Sequence, residues 1–306
     1  MNKWVRRGSI TLGVLGLVAA ASYYWLFISN GAPGRGYYEI DMAAVRATAD
    51  EIAGEKPQEI RVETVASRKV PLIAMVAGET WTEAEVKVIA YQVVLPDRTV
   101  IIDTGFDKMA AQALEVATFD DAAHERVSAA MGTAAAIVVT HEHMDHIGGL
   151  LTDPNVELLL KKALVSKEQF DHPEKSKPVV WPVGSREGFK PLVYDRYYAV
   201  APGVVLIRAA GHTPGSQMVY VKRADGVEFL FMGDVASYMQ NVDLQRARSR
   251  LVSDVMLGED RGAVLLELRE LGRLKRDEPK ILFVPGHDGA ALAKLRADGA
   301  LVEGFR

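Results

Sequence analysis

The 306-residue chain contains no cysteine. It can therefore form no disulfide that would indicate its redox compartment, and no thiolate is available as a metal ligand. Long runs of basic residues are also missing, and 40 acidic residues outnumber 36 basic residues to give a net charge of −4. Because phosphate backbones are bound by concentrated positive charge, this composition argues against nucleic acid as a substrate or partner.

Histidine is scarce as well, with seven residues in the chain, yet three of them fall within residues 141–146, which read His-Glu-His-Met-Asp-His. This segment follows the apolar residues 134–139, a pattern typical of a short buried strand. Imidazole nitrogen and carboxylate oxygen on a loop at a strand end suit Zn²⁺ or a similar ion. The first two histidines alternate by two, whereas the final Asp-His pair turns to a second point close by. The segment therefore predicts two metals side by side.

Three further candidate ligands lie just after predicted strands and beside glycine. His212 belongs to a Gly-His-Thr-Pro-Gly-Ser segment, Asp234 to a Gly-Asp pair and His287 to a Gly-His-Asp segment. Strand ends on one side of a sheet bring ligands from distant parts of the chain together, and glycine lets the backbone turn tightly there. Each motif alone is common in turns, but the set in this order indicates a metal centre.

The order of these four motifs resembles that of the metallo-β-lactamase superfamily, as does the early Asp-Thr-Gly that begins at Asp103. The resemblance extends from Val70 to the C-terminus. It implies an α/β fold, a four-layer αβ/βα sandwich with its site at one edge of the two sheets. It also implies a ligand set: His141, His143 and His212 for a first metal, Asp145, His146 and His287 for a second, and Asp234 as a bridge.

The bridging position distinguishes between branches of this superfamily. The β-lactamase subclass that shares these motifs usually has serine where this chain has Asp234, and the subclasses with a cysteine ligand are excluded. An aspartate bridge is similar to that of glyoxalase II thioesterases and N-acyl-homoserine lactonases. Glyoxalase II has a C-terminal helical domain, which is not evident here. The lactonases place a tyrosine shortly after the bridge, where its hydroxyl supports the substrate carbonyl, and Tyr238 follows Asp234 in this chain.

The resemblance therefore implies a hydrolase with two divalent ions, of which Zn²⁺ is favoured over Fe or Mn. A hydroxide generated at the ions would attack the carbonyl of a small-molecule lactone or other ester. A thioester or a β-lactam is the alternative substrate, and a non-catalytic membrane-anchored binding module is least favoured because all seven ligands are present. Asp145 is the expected proton shuttle. Asp103 and Thr140 are expected to orient histidine ligands, and Thr213 to orient His212.

Residues 10–28 form an uncharged stretch close to the ~20 residues that a membrane-spanning helix needs. Lys3, Arg6 and Arg7 precede it, and aromatic residues cluster at its far end as in an interfacial belt. We therefore expect a membrane anchor, with the catalytic domain on the periplasmic face of a bacterial inner membrane. The alternative is a cleaved signal peptide and a secreted protein, because the small residues 19–21 offer a cleavage site.

We divide the chain into the anchor or signal peptide at residues 1–29, a linker and N-terminal extension at 30–69, and the hydrolase domain at 70–306. Sequence periodicity in that domain predicts strands that alternate with helices and hairpins, as an α/β sandwich requires. The predicted elements include a strand at residues 156–160 and an amphipathic helix at residues 244–256.

Overall fold

Two β-sheets lie face to face in the computed structural model of this protein, and helices cover the outer face of each sheet. The structure describes residues 3–306. Residues 1–2 of the segment expected to be an anchor or signal peptide lie outside the described part, as do the side chains of Lys3 and Arg6 from its basic flank. The expected four-layer αβ/βα sandwich is confirmed.

The described residues contain the strands β1 (Glu59–Pro71), β2 (Glu83–Val94), β3 (Thr99–Ile102), β4 (Thr118–Phe119), β5 (Ala136–Val138), β6 (Ala163–Leu164), β7 (Tyr197–Ala201), β8 (Val204–Arg208), β9 (Gln217–Lys222), β10 (Glu228–Phe231), β11 (Ile281–Val284) and β12 (Val302–Glu303).

They also contain the helices α1 (Lys3–Tyr23), α2 (Met42–Ala49), α3 (Leu72–Met75), α4 (Lys108–Ala113), α5 (Asp121–Thr133), α6 (Met144–Thr152), α7 (Val156–Leu159), α8 (Lys167–Asp171), α9 (Met239–Leu244), α10 (Arg261–Asp277) and α11 (Gly289–Ala297). Two turns are π-helical, Tyr24–Ile28 and Leu251–Leu257, and three are 3₁₀-helical, Leu160–Lys162, Pro173–Ser176 and Gly233–Val235.

The first sheet has the strand order β12-β1-β2-β3-β5-β6, and β4 pairs with β1 outside this path. β1 and β2 form a long antiparallel hairpin, whereas β3, β5 and β6 run parallel. The second sheet has the order β11-β10-β9-β8-β7. In it β10 and β11 are parallel, and β9 is antiparallel to both β8 and β10. Consequently β3 and β5 end at one edge of the first sheet, and β8, β10 and β11 end together in the second.

Strands of the second sheet are buried on both faces, which explains their nearly continuous apolar sequence. Along β8, Val204 and Leu206 point into the layer between the two sheets, whereas Val205 and Ile207 point toward the outer helices. This alternation follows from the two-residue period of a strand. The core between the sheets therefore holds the two halves of the sandwich, and the strand ends beside it, in fixed relative positions.

The outer helices complete the other two apolar layers. α5 and α6 cover the first sheet through Val127 and Ile147, and α2 and α10 cover the second through Val45 and Leu268. The side chain of Asp260 caps α10 by accepting a hydrogen bond from a backbone N–H in its first turn. Such a cap satisfies one of the donors that a helix N-terminus leaves unpaired.

The strand predicted for residues 156–160 is wrong, because these residues form α7 and the first residue of a 3₁₀ turn. A short apolar run does not by itself distinguish a strand from a buried helix. Here Leu159 and Leu160 are both buried in the outer core of the first sheet, whereas Leu158 is exposed. Adjacent residues of a strand would point to opposite faces, so a helical turn buries this pair better.

The single helix predicted for residues 244–256 is also wrong. α9 ends at Leu244, and a π-helical turn begins only at Leu251. Between them the backbone of Ala247 and Ser249 pairs with the connection between β1 and β2, at N···O distances of 2.9 and 3.1 Å. Hydrogen bonds to a distant part of the chain thus replace those of a continuous helix.

The predicted domain boundary at residue 70 falls inside β1, which begins at Glu59 and pairs with β2 along its length. α2 also lies in the segment described above as an extension, and its Val45 is fully buried against the second sheet. The side chain of Asp41 caps that helix by accepting two backbone hydrogen bonds. Much of the extension is therefore part of the sandwich, because its apolar side chains contribute to the core.

α1 leads into the π-helical turn Tyr24–Ile28. Within this helical segment, residues 10–28 are long and apolar enough to cross a membrane, with a mean hydropathy of 1.7 and none of the span buried. A signal sequence near an N-terminus has the same length and composition. The structure is thus compatible with both expectations for this segment.

Glu267 of α10 gives the fold a pH-dependent stability. Its Oε1 accepts a hydrogen bond from the Gly211 N–H at 3.0 Å, and its Oε2 has no partner among the described residues. Burial, with the nearby charges of Glu259 and Asp260, raises the pKa of Glu267 to about 8. The unfolded chain releases this proton near pH 4.5, so the group lowers the free energy of unfolding as pH rises from 4.5 to about 8.

We predict that Glu267→Gln removes this dependence, because the amide cannot ionise. The quantity to compare is the free energy of unfolding of the variant minus that of the parent. This difference should be on the order of 2–4 kcal/mol larger at pH 8 than at pH 5. Denaturant titrations at several pH values measure it, and Glu157→Gln at an exposed position is the matched control. If this difference in free energy of unfolding stays constant with pH, Glu267 is not the group that causes the pH dependence.

Candidate metal centre

All seven predicted ligands lie at the edge where β5, β8, β10 and β11 end. β5 delivers residues 141–146, β8 delivers His212, β10 delivers Asp234 and β11 delivers His287. These strand ends come together because parallel strands share an edge and the two sheets are packed face to face. The loops between strand and helix are short, so the rigid sheets fix the base of each ligand.

Three histidine rings form the first group. The distance between His141 Nε2 and His143 Nδ1 is 3.1 Å, and His212 Nε2 lies 3.2 Å and 3.0 Å from these two atoms. A neutral imidazole carries one N–H, so three ring nitrogens in mutual contact cannot all be satisfied by hydrogen bonds to one another. Nitrogen lone pairs that converge in this way suit a shared cation, and this donor set matches zinc chemistry.

The second group contains two histidines and two carboxylates. The Oδ2 atom of Asp145 lies 3.7 Å from His146 Nε2 and 3.6 Å from His287 Nε2. On the other side, Asp234 Oδ1 lies 2.8 Å from His287 Nε2 and 3.8 Å from His146 Nε2. His146 Nε2 is buried and has no hydrogen-bond partner among the described residues. A buried nitrogen without a partner, aimed at two carboxylates, fits a cation held between them.

Asp234 lies between the two groups. Its Oδ1 faces His287 at 2.8 Å, and its Oδ2 faces His212 of the first group at 3.3 Å. One carboxylate thus directs one oxygen toward each group, which is the arrangement expected of a bridging ligand. The backbone also comes very close here, because a Cβ atom on Gly286 would lie 2.7 Å from Asp234 Oδ1. Glycine at position 286 is therefore needed to leave room for this carboxylate.

A second layer of hydrogen bonds orients three of the histidines. His146 Nδ1 lies 2.8 Å from Asp103 Oδ2, and His212 Nδ1 lies 2.7 Å from Glu259 Oε1. His287 Nδ1 donates to the backbone oxygen of Lys87 at 2.7 Å. With Nδ1 of each ring held by these partners, the Nε2 atoms point into the site. The same partners also fix the ring planes, so the ligands are arranged before any cation binds.

Asp103 has the expected orienting role. It also accepts hydrogen bonds from the backbone N–H and the hydroxyl of Thr140, at 2.7 and 2.8 Å. Its backbone has φ = 60°, in the left-handed region that non-glycine residues seldom adopt. The three hydrogen bonds hold this strained conformation, which is a common feature of functional sites. The Thr140 hydroxyl lies 3.3 Å from His141 Nδ1 as well.

Thr213 does not orient His212 as expected. Its hydroxyl donates to Glu142 Oε2 at 2.7 Å, and Glu142 Oε1 accepts from the Gly215 N–H at 3.2 Å. The carboxylate of Glu142 therefore points away from the other members of its motif and ties the loop after β5 to the loop after β8. The orienting partner of His212 is Glu259, a residue that no sequence motif singled out.

Arg248 is a second residue that the sequence did not reveal. Its guanidinium is buried and donates to Asp234 Oδ2 at 2.7 Å, to the backbone oxygen of Asp234 at 2.9 Å and to Glu259 Oε1 at 2.8 Å. It lies in the segment wrongly predicted as a continuous helix. One cation thus offsets two buried carboxylates and fixes Asp234 relative to the partner of His212.

Charges within the site differ between the two groups. Burial, with the neighbouring imidazoles, lowers the pKa of His141 well below its usual value, and burial lowers the pKa of His143 to about 3. Burial also opposes a charge on His146, but Asp103 and Asp145 outweigh that effect and raise its pKa to about 10. The first group therefore presents neutral lone pairs, and the second is surrounded by negative charge. Both conditions favour divalent cations.

Tyr238 lies close to this cluster but outside the ring of ligands. Its hydroxyl donates to the backbone oxygen of Glu85 at 2.7 Å, and its ring packs with Met75, Val76 and Val86. Burial and the carboxylates around it raise the pKa of Tyr238, so the hydroxyl stays protonated. In this conformation its proton points toward the β1–β2 hairpin.

We predict that metal-replete protein contains about two transition-metal ions per chain, because two groups of ligands share Asp234. Asp234→Ala should lose at least one ion, since the same carboxylate serves both groups. Elemental analysis of the purified protein measures the content. Asp153→Ala removes another buried aspartate outside the cluster and should keep both ions. One ion or none in the parent would contradict the dinuclear arrangement.

Comparison with known families and proteins agrees with this site. Residues 87–153 match the family model described as Metallo-beta-lactamase superfamily. An N-acyl homoserine lactonase from Bacillus sp is 26% identical over 152 residues, which cover 50% of this chain and 55% of that relative. The chain thus spans about half the length of the curated relative that it matches.

Two solved structures share the fold. An N-acyl homoserine lactone hydrolase with the product N-hexanoyl-L-homoserine bound at its catalytic metal centre has a TM-score of 0.62 and 17% sequence identity, and the match covers 78% of this chain and 97% of that chain. A dizinc quorum-quenching lactonase has a TM-score of 0.51 and 15% identity, with 79% and 92% covered. Residues 87–153 are thus similar to the metallo-β-lactamase superfamily, and the chain shares the fold of these two solved structures.

Proposed function

We propose that this protein is a dinuclear metal-dependent hydrolase that opens a lactone or cleaves a related ester. The observation that carries the proposal is the position of Asp234, with one oxygen toward each of two groups of ligands. A carboxylate bridge between two histidine-rich groups suits hydrolysis, in which two cations act on one carbonyl. Zn²⁺ is the favoured ion because the ligands are nitrogen and carboxylate oxygen in closed, histidine-rich groups, with Fe or Mn as alternatives.

The lactone is favoured among substrates by the relatives. The curated relative is a lactonase, and the structural neighbours include lactonases with a hydrolysed homoserine lactone product. A thioester or a β-lactam would present the same kind of carbonyl to the same cluster, so both belong in the test. A purely binding role is disfavoured because the ligands and the partners that orient them are all in place.

Two divalent ions bound at this cluster would supply hydroxide near neutral pH and polarise the carbonyl. The protein's own residues would then position the cluster and move the proton. Asp145 suits the latter role, because it lies between His146 and His287. Its side chain is 26% exposed, compared with 4% for His146 and 3% for His287. A carboxylate at the solvent side of the cluster can take a proton and deliver it to the leaving oxygen.

Tyr238 is proposed as the residue that supports the substrate carbonyl. Its hydroxyl is occupied by the Glu85 carbonyl in this conformation, so the role requires the hydroxyl to turn toward a bound substrate. The aromatic ring packs against apolar side chains of the β1–β2 connection, which fixes the ring while leaving the hydroxyl torsion free.

We also propose that residues 10–28 anchor the protein in a bacterial inner membrane, with the catalytic domain on the periplasmic face. The proposal is supported by the length and apolar character of this span, by the absence of buried residues in it and by the basic residues that precede it. The alternative is cleavage and secretion, for which a mature protein beginning near Ser22 would be the sign.

A panel of substrates tests the proposed reaction directly. Metal-replete protein would be assayed with an N-acyl homoserine lactone, a simple aryl ester, a glutathione thioester and a β-lactam. The proposal expects kcat/KM to be highest for the lactone. Highest activity with the thioester or the β-lactam would overturn the substrate assignment, and no hydrolysis of any of them would favour the binding module.

We predict that Asp145→Asn lowers turnover by about 10²–10⁴-fold, the usual effect of removing a positioned acid–base group. Asp145 is also a proposed ligand, so the metal content must be measured on the same sample. A loss of activity with both ions retained supports the proton-transfer role. Unchanged turnover with both ions retained would contradict it.

Tyr238→Phe tests the role of the hydroxyl without removing a ligand. We predict that it keeps both ions and lowers kcat for lactones by roughly ten- to a few hundredfold, by analogy with the loss of one donor to a developing oxyanion. Steady-state kinetics on metal-loaded protein measure the effect, and Tyr37→Phe at an exposed position is the control. Kinetics equal to the parent's would remove Tyr238 from the mechanism.

The topology can be checked with reporter fusions. We predict that alkaline phosphatase fused after Gly36 is active in a bacterial host, because the preceding segment carries it across the inner membrane. A cytoplasmic reporter fused at the same point should stay inactive. The reverse pattern would place the domain inside the cell, and a reporter released in soluble form would favour the cleaved signal peptide.

A further inference from the structure

The end of the apolar N-terminal segment makes hydrogen bonds and ring contacts with the catalytic domain. The backbone oxygen of Phe27 accepts a hydrogen bond from the Gly78 N–H at 2.8 Å, and the Trp81 indole donates to the Tyr23 hydroxyl at 3.0 Å. The rings of Phe27 and Trp81 are also in contact, with centroids 5.1 Å apart. These contacts join the helical segment to the β1–β2 connection.

Asn30 adds a second attachment directly after this segment. Its side chain donates to the Gln245 backbone oxygen at 2.9 Å and accepts from the Ala247 N–H at 3.0 Å. Its own backbone oxygen accepts from the Arg261 guanidinium at 2.8 Å. Arg250 also lies over the Trp25 ring, 5.3 Å from its centroid. Together with the contacts of Phe27 and Trp81, these interactions fix the direction of the apolar span relative to the domain.

Exposed apolar side chains lie in both segments that contact the end of the apolar span. Trp81 of the β1–β2 connection is 55% exposed, and Val255 and Met256 of the second π-helical turn are 62% and 68% exposed. The turn follows Arg250, which contacts Trp25 and also pairs with Asp254, the residue before Val255. If the domain did not touch the membrane, these large apolar side chains would be in contact with water.

We propose that the face formed by Trp81, Val255 and Met256 lies on the lipid bilayer, so that the membrane is a binding partner of the catalytic domain as well as of its anchor. The inference rests on the anchoring proposed above and adds the surface that contacts lipid. Exposed aromatic and aliphatic residues in the two segments that contact the end of an apolar span suit the interfacial region, where aromatic residues concentrate. The fixed attachment holds this face at the membrane surface.

The same segments reach the metal centre. The β1–β2 connection contributes Met75 and Val76 to the packing around Tyr238. The segment from Ala247 to the second π-helical turn contains Arg248, which holds Asp234. Contact with lipid would therefore restrain the two segments that support the outer part of the site. It would also bring an apolar substrate dissolved in the bilayer close to that site.

The absence of native cysteine allows a site-specific test. Single variants Val255→Cys and Met256→Cys of the full chain would carry an environment-sensitive fluorophore, in phosphatidylcholine vesicles with and without nitroxide-labelled lipid. Asp97→Cys and Asp225→Cys are the matched controls, because they lie in turns at the opposite ends of the strands from the site. Leu17→Cys, within the apolar span, reports the anchoring itself.

We expect labels at positions 255 and 256 to be quenched by the nitroxide lipid at least twofold more than labels at positions 97 and 225. The metal content of each labelled variant should equal that of the parent, which confirms that the fold is intact. Quenching at position 17 with none above control at 255 and 256 would overturn the lipid-facing surface alone. No quenching at position 17 would overturn the anchoring, and the surface with it.

Discussion

The carboxylate of Asp234 is the point on which the rest of the site depends. It lies between two groups of histidines, and it also accepts a hydrogen bond from the buried guanidinium of Arg248. A carboxylate in an apolar interior is costly unless positive charge or hydrogen bonds compensate for it. Arg248 supplies part of that compensation, and divalent cations would supply the remainder. The site is therefore built to favour bound metal over the empty cluster.

The architecture explains how such a cluster can be positioned accurately. Every predicted ligand follows the end of a strand. The strands are held by apolar layers on both faces of the second sheet and between the sheets. The outer hydrogen bonds from Asp103, Glu259 and the Lys87 carbonyl then fix the histidine rings. Packing thus fixes the positions of these side chains, and hydrogen bonding fixes the orientations of the histidine rings. Neither requires the metal.

The sequence predicted the layers, and it predicted which side chains converge at the cluster, because both leave local signals. His141 and His143 lie in a dense motif after an apolar run, and glycine marks the turns that carry His212 and His287. Glu259 and Arg248 left no such signal, since a buried ion pair depends on residues that meet only in the folded chain. The segment that contains Arg248 has an apolar periodicity that favoured a helix, but backbone pairing with the β1–β2 connection prevented it.

The central claim is that two metal ions share the Asp234 carboxylate. Anomalous X-ray diffraction from crystals of the metal-loaded protein tests it most directly. We expect two anomalous peaks, ~3.5–4 Å apart as in other two-metal sites. One peak should lie among His141, His143 and His212, the other among Asp145, His146 and His287, with Asp234 bound to both. A single peak, or two peaks without Asp234 between them, would contradict it.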